Sequence, residues 1–191
     1  MSRLDPSLKR LVLTYRTKEQ ARRALQECAG RILSAAKRSI FAWQRQNQAE
    51  AEQLLTEAKT ACMQGEKICR RDVLLSHEGA WRAALEEYCE AAFVHAFFVR
   101  GRISAADAPT QDPEIVIGGL SDFTGELARY AVLRATEGDH ATVDQLYVVS
   151  RDVIELLLRL DLTGSSRSKF DQAKQHLRKL EDIRYDLSSR V

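Results

Sequence analysis

Residues 81–99 read WRAALEEYCEAAFVHAFFV, and residues 115–135 read IVIGGLSDFTGELARYAVLRA. Apolar residues cover nearly every side of both stretches and nothing alternates with period two, so each reads as a helix buried on most sides. Each nevertheless carries acids at its centre, Glu87 and Glu90 in the first and Asp122 and Glu126 in the second. A spacing of three puts Glu87 and Glu90 about 60° apart around a helix, and a spacing of four puts Asp122 and Glu126 about 40° apart, so each pair points one way. An unpartnered buried carboxylate is costly. If the two helices are neighbours, four carboxylates converge, and their repulsion calls for a divalent cation between them. Oxygen-only ligands favour Mg²⁺, with Mn²⁺ as a substitute. A di-iron bundle would show Glu-x-x-His, which neither pair has; His95 lies five residues beyond Glu90 and reads as a packed core histidine. The alternative is a structural one, in which Arg82, Arg129 or Arg134 neutralises the acids. Gly118, Gly119, Ser121, Thr124 and Gly125 weaken the helix around Asp122 and leave room for another helix or a substrate backbone to come close.

Outward from these two helices the chain stays helical. Asp5-Pro6 is a helix start, with a cap residue followed by proline at the first helical position. Thr17 with Gln20 suggests a capping box and a second start. From there to about Asn47, Leu25, Cys28, Ile32, Ala36, Ser39 and Trp43 fall on one face. Helices follow from about Ala49 to Arg70, softened at Gly65, and from about Ser76 to Val99. The segment 101–113, GRISAADAPTQDP, is the one evident loop. Asp112-Pro113 caps a helix to about Ala135, Gly138-Asp139 turns into one from His140 to about Leu162, and Gly164-Ser165-Ser166 leads into a last one ending near Ser188. The expected fold is all-α, an antiparallel bundle of six or seven helices forming a single domain over residues 1–191.

With 45% hydrophobic and 29% charged residues the composition is that of a globular chain, which excludes disorder. No run approaches the roughly 18 apolar residues of a membrane span, and the opening MSRLDP has no apolar signal core, so a cytoplasmic protein is expected. Cys28, Cys62, Cys69 and Cys89 show no CxxC spacing and read as reduced structural thiols. The net charge of +2 conceals an asymmetry. Residues 1–47 hold eleven Lys/Arg against three acids, a net +8, so the remainder carries −6. Such a distribution suits a polyanion partner. Arg23, Arg31, Arg38 and Arg45 are spaced 8, 7 and 7 residues and stay within a sector of about 80°. With Lys37 they form a basic stripe suited to tracking a phosphate backbone by electrostatics, with weak sequence selectivity.

Several segments resemble the TRAX branch of the translin family. Glu86-Glu87-Tyr88-Cys89-Glu90-Ala91 resembles its Gln-Glu-Tyr-Val-Glu-Ala segment, and Ser121-Asp122-Phe123-Thr124-Gly125-Glu126-Leu127 its Ala-Asp-Leu-Thr-Gly-Glu-Leu segment. Ala36-Lys37-Arg38-Ser39-Ile40-Phe41 is similar to Ser-Lys-Arg-Thr-Ile-Phe, and residues 179–187, KLEDIRYDL, to the closing helix. The loop at 101–113 is shorter than its counterpart in animal TRAX. The resemblance spans roughly residues 20–190 and implies a translin-like fold assembled into an octameric shell. Within that shell, Mg²⁺-dependent cleavage of single-stranded RNA is implied, with Glu87, Glu90, Asp122 and Glu126 as metal ligands. Catalytic TRAX in animals works beside translin, so either self-assembly or a translin-like partner subunit is implied.

Two other functions compete with this one. The first is a non-catalytic, translin-like shell binding RNA or single-stranded DNA. The second is an all-α nucleoside triphosphate pyrophosphohydrolase, which usually pairs Glu-x-x-Glu with Glu-x-x-Asp. This chain offers Asp-x-x-x-Glu in the second position.

Overall fold

The computed structural model describes residues 5–189; the outermost ends of the expected domain, 1–4 and 190–191, lie outside the described residues. Six α-helices follow one another: α1 (Pro6–Gln44), α2 (Gln48–Cys69), α3 (Gly79–Arg100), α4 (Pro113–Thr136), α5 (His140–Leu157) and α6 (Gly164–Ser188). No strand occurs among the described residues. The starts follow local chemistry. The carboxylates of Asp5, Asp112 and Asp139 accept from backbone amides at the beginnings of α1, α4 and α5, and proline fills the first position of α1 and α4. Gly101, with φ 68°, takes the left-handed position that closes α3.

Three boundaries and one interior position differ from the sequence reading. No second start exists at Thr17: α1 is continuous, and the Thr17 hydroxyl donates to the Leu13 carbonyl 3.1 Å away. Without a proline or glycine nearby, a capping-box pattern inside a run of good helix formers does not interrupt it. Gly65 does not soften α2 either. A Cβ there would stand 2.2 Å from the Trp81 ring, so the glycine is a seat for that indole. Residues Val73–His77 form a short 3₁₀ turn capped by Asp72, which delays α3 to Gly79. At its far end α5 stops at Leu157.

α1 lies along both α2 and α3, while α4 packs on α3, α5 and α6, and α5 packs on α6. The α3–α4 contact therefore joins two three-helix units. One continuous apolar core runs through both. Leu25, Cys28, Ile32, Ala36, Ser39 and Trp43 are all buried, and the Ser39 hydroxyl is satisfied by the Ala51 carbonyl at 2.8 Å. All four cysteines are buried free thiols. Burial pushes the Cys62 and Cys89 thiols up to about 12, which keeps them unreactive. No helix among the described residues is long and apolar enough to cross a membrane.

Residues 5–18 are exposed throughout, so the first turns of α1 project from the body by about 20 Å. This projecting arm carries Leu8, Leu11, Val12 and Tyr15, each 45–64% exposed and spaced as one helical stripe.

Candidate active site

α3 and α4 meet where both can spare side chains. A Cβ on Gly119 would lie 2.5 Å from Cys89 Cβ, 3.1 Å from the Glu90 nitrogen and 3.2 Å from the Glu86 carbonyl oxygen. One on Gly118 would lie 2.3 Å from Glu86 Oε2. Only glycine lets the α4 backbone settle this closely on α3. The rotation of α4 is set by Phe123, which is fully buried with its ring centroid 6.2 Å from that of Phe93 and 6.1 Å from that of Phe97. Asp122 and Glu126 are thereby turned toward Glu87 and Glu90.

The electrostatics register the convergence. Burial, followed by the charges of Glu87, Glu126 and Asp122, pushes the Glu90 carboxyl up to about 9. Burial also raises Glu87; nearby Lys37 opposes the rise, and Asp122 and Glu126 add to it. Glu126 is raised by burial against the pull of Arg129 and a hydrogen bond from Gln44. The structure thus brings all four sequence-predicted acids into one neighbourhood.

Three of the four are held by groups from elsewhere. Lys169, on α6, bridges Asp122 and Glu86. Lys37, on α1, stands 3.7 Å from Glu87. Gln44 donates to Glu126 at 2.5 Å, and Arg129 approaches the same carboxylate at 3.2 Å. Glu90, 8% exposed, makes no hydrogen bond or ion pair among the described residues. No three Asp, Glu, His or Cys side chains among the described residues stand close enough together to hold a metal ion as they are placed. The arginines that the structural alternative invoked behave differently from one another. Arg82 pairs with Asp112 and Glu114 at 2.6 and 2.8 Å and Arg134 with Glu137, away from the cluster, while Arg129 does reach Glu126.

His176, also on α6, approaches Thr124 with Nδ1 3.1 Å from Oγ1. The Thr124 hydroxyl spends its proton on the Ser121 carbonyl at 2.7 Å, so the imidazole donates from Nδ1 and leaves Nε2 free to accept. Gly125 makes room for this ring, since a Cβ there would meet His176 Cε1 at 2.9 Å. Lys169, His176, Glu86 and Gln44 carry no local sequence signal for this role. The seven-residue spacing of Lys169 and His176 on α6 is the one trace, and it is legible only once α6 is known to lie on α4. His95 packs half-buried against Trp43, with ring centroids 5.6 Å apart, as a core histidine does.

The basic residues of α1 divide. Arg31 and Arg38 line a groove against α2 together with Gln53, Thr56, Glu57 and Thr60. Arg31 also bonds Gln64, Arg23 pairs with Glu19 at 3.4 Å and Arg45 with Glu50 at 3.3 Å, while Arg38 makes no ion pair among the described residues. Lys37 instead faces the acids.

Residues 110–191 match the Translin family. That segment is the end of the 101–113 loop and all of α4, α5 and α6, so Asp122, Glu126, Lys169 and His176 lie within it. Glu87 and Glu90 are supplied by α3, outside it. No curated protein matches the sequence. Among solved structures, apo-NeC3PO superposes with a TM-score of 0.88 at 18% identity, over 97% of this chain and 100% of its own. AfC3PO gives 0.83 at 22% identity in a structure with duplex RNA, covering 96% of this chain and 97% of that one, and 0.83 at 21% in another. The chain has the all-α fold of these proteins.

The Glu90 carboxyl makes a stability test available. Its pKa is raised on folding from about 4.5 to about 9, so its contribution is fully present below the lower value and is lost as pH rises through the upper one. In EDTA, Glu90→Gln should leave the melting temperature nearly unchanged at pH 5 and raise it by about 10 °C or more at pH 8.5. Thermal melts of parent and variant at both pH values measure this; an equal shift at both would contradict it.

Proposed function

We propose that the chain is a translin-family protein of the TRAX-like, catalytic kind: a Mg²⁺-dependent endoribonuclease that cleaves single-stranded RNA within an oligomeric shell. The observation that carries this reading is Glu90, buried without a partner amid Glu87, Asp122 and Glu126. Four carboxylates suit a hard divalent cation, and a buried acid pushed this far up is destabilising unless a cation or a proton accompanies it. Mg²⁺, or Mn²⁺ in its place, would be held by these four, lowering the pKa of a bound water and polarising a phosphate oxygen. Glu87, Glu90 and Asp122 act as ligands, and Glu126 as a ligand or as the base that orients the attacking water. Exposed Arg23, Arg31, Arg38 and Arg45 hold the phosphate backbone, while Lys37 stands apart from them beside Glu87. The duplex RNA bound by AfC3PO supports an RNA partner for this fold. We place the protein in the cytoplasm, where buried thiols stay reduced.

Incubation with labelled single-stranded RNA, duplex RNA and nucleoside triphosphates, each with Mg²⁺ or EDTA, tests the activity. Cleavage of single-stranded RNA should require Mg²⁺, fall at least ~100-fold in Glu90→Gln and Asp122→Asn, and leave triphosphates intact. RNA binding without cleavage would make the protein a translin-like scaffold, and triphosphate hydrolysis alone would make it a pyrophosphohydrolase. Changing Arg31, Arg38 and Arg45 together to Gln should weaken RNA binding and flatten the logarithmic salt slope by about 2. An unchanged slope in a filter-binding titration would move the RNA surface elsewhere.

Oligomerisation is the reading that suits the projecting arm, whose apolar stripe finds no cover among the described residues and would be covered by a second copy or a translin-like subunit. Light scattering should give a mass several times 21.6 kDa, with an octamer the favoured size. A stable monomer mass at micromolar concentration would defeat the shell.

A further inference from the structure

α6 reaches over α4 to place one ammonium between two acids, and only one of those acids belongs to the proposed ligand set. We propose that Lys169 is a built-in competitor for the metal: in the metal-free protein its ammonium takes the place beside Asp122 that a divalent cation takes on binding, and Glu86 receives the displaced ammonium. This inference rests on the reading of the four acids as a metal site.

The geometry supplies each part of the exchange. Lys169 contacts Asp122 and Glu86 simultaneously from a half-buried position. A carboxylate committed to an ammonium cannot offer the same lone pairs to a metal, so Asp122 must release Lys169 first. Glu86 makes that release inexpensive. Its carboxylate lies directly over Gly118, beside Asp122, so the ammonium exchanges one partner without being stranded. Burial works against the Lys169 charge, but the hydrogen bonds to Asp122 and Glu86 outweigh it and hold its pKa above the usual lysine value. Lys169 also reaches the buried acid electrostatically, since its charge partly offsets the elevation of Glu90. A lysine suits the role better than an arginine, because a compact charge on a flexible stem can leave one carboxylate while keeping another. Lys37 beside Glu87 at 3.7 Å and Arg129 beside Glu126 at 3.2 Å are looser companions.

Two measurements that do not depend on activity test this. Calorimetric titration with Mn²⁺ should show Lys169→Met and Lys169→Gln binding about tenfold tighter than the parent, as expected when one charged hydrogen-bonded competitor is removed. Lys169→Arg should stay within about threefold of the parent, and Arg129→Met, which removes a nearby cation that does not touch Asp122, should change affinity less than Lys169→Met does. In the parent, acetylation of Lys169 by an amine-reactive reagent, read by mass spectrometry, should rise severalfold when Mn²⁺ saturates the site. Unchanged or weaker Mn²⁺ binding in a folded Lys169→Met, or constant Lys169 labelling while calorimetry shows that the parent binds metal, would overturn the competition while leaving the metal site standing. Should Lys169→Met fail to fold, the labelling of the parent decides alone. A parent that binds no Mn²⁺ at millimolar concentration would remove the metal site itself, and the competition with it.

Discussion

The site depends on the missing side chains of Gly118 and Gly119. Their absence lets the α4 backbone rest against α3 at Glu86, Cys89 and Glu90. At Gly119 the obstacle to a larger residue is partly backbone, which cannot rotate away as a side chain can. A Cβ there would force the helices apart and separate the two acid pairs. The same contact is the seam between the α1–α3 unit and the α4–α6 unit, so the acids sit where the two halves of the fold are joined. An acidic cluster at a seam is held in position by packing on both sides. Phe123, wedged between Phe93 and Phe97, shows how completely apolar contacts fix the angle at which the acids face one another.

Holding these charges together costs stability, and the fold distributes the compensation over several helices. α1 contributes Lys37 and Gln44, α4 its own Arg129, and α6 Lys169. Ion pairs of this kind, with Lys37 and Arg129 largely exposed and Lys169 half-buried, add little net stability, because water screens their attraction and ordering the long side chains costs entropy. Glu90 has no such companion among the described residues. An all-apolar seam would be the more stable solution. The cations come from three helices, so cleavage of the seam by any one substitution would be felt in both halves of the fold.

Much of this was legible in the sequence, and the rest was hidden for identifiable reasons. Glu87, Glu90, Asp122 and Glu126 declared themselves because helical spacing maps directly onto direction and because acids inside apolar helices are conspicuous. Asp5-Pro6 and Asp112-Pro113 were readable because a cap acts within a few residues of itself. Thr17 and Gln20 misled because the same pattern has no effect when the preceding turns are helical already. Gly65 misled because its purpose is the Trp81 ring, a contact no periodicity in α2 can report. Lys169 stands 47 residues from Asp122 and Lys37 fifty from Glu87, so their pairing is a property of how helices pack rather than of any local pattern. Lys37 adjoins the arginine stripe in sequence, yet it sits about 100° around α1 from Arg38, enough to put it on the acid side of the helix.

That division gives α1 three functions along one uninterrupted length. One face of its second half carries Lys37 and Gln44 to the acids, another face lays Arg31 and Arg38 along α2, and its first turns stand free. A free helix of about a dozen residues would be marginal in water, because starting a helix is far costlier than extending one. Here nucleation is provided by the packed segment from Leu25 to Trp43, and the arm needs only propagation, helped by Asp5 and Pro6 at its tip. Gly30 does not break the connection, since Ala29 and Ile32 on either side of it are buried. The arm therefore holds Leu8, Leu11, Val12 and Tyr15 in register before any partner arrives, and association would spend little of its free energy on ordering the segment that mediates it.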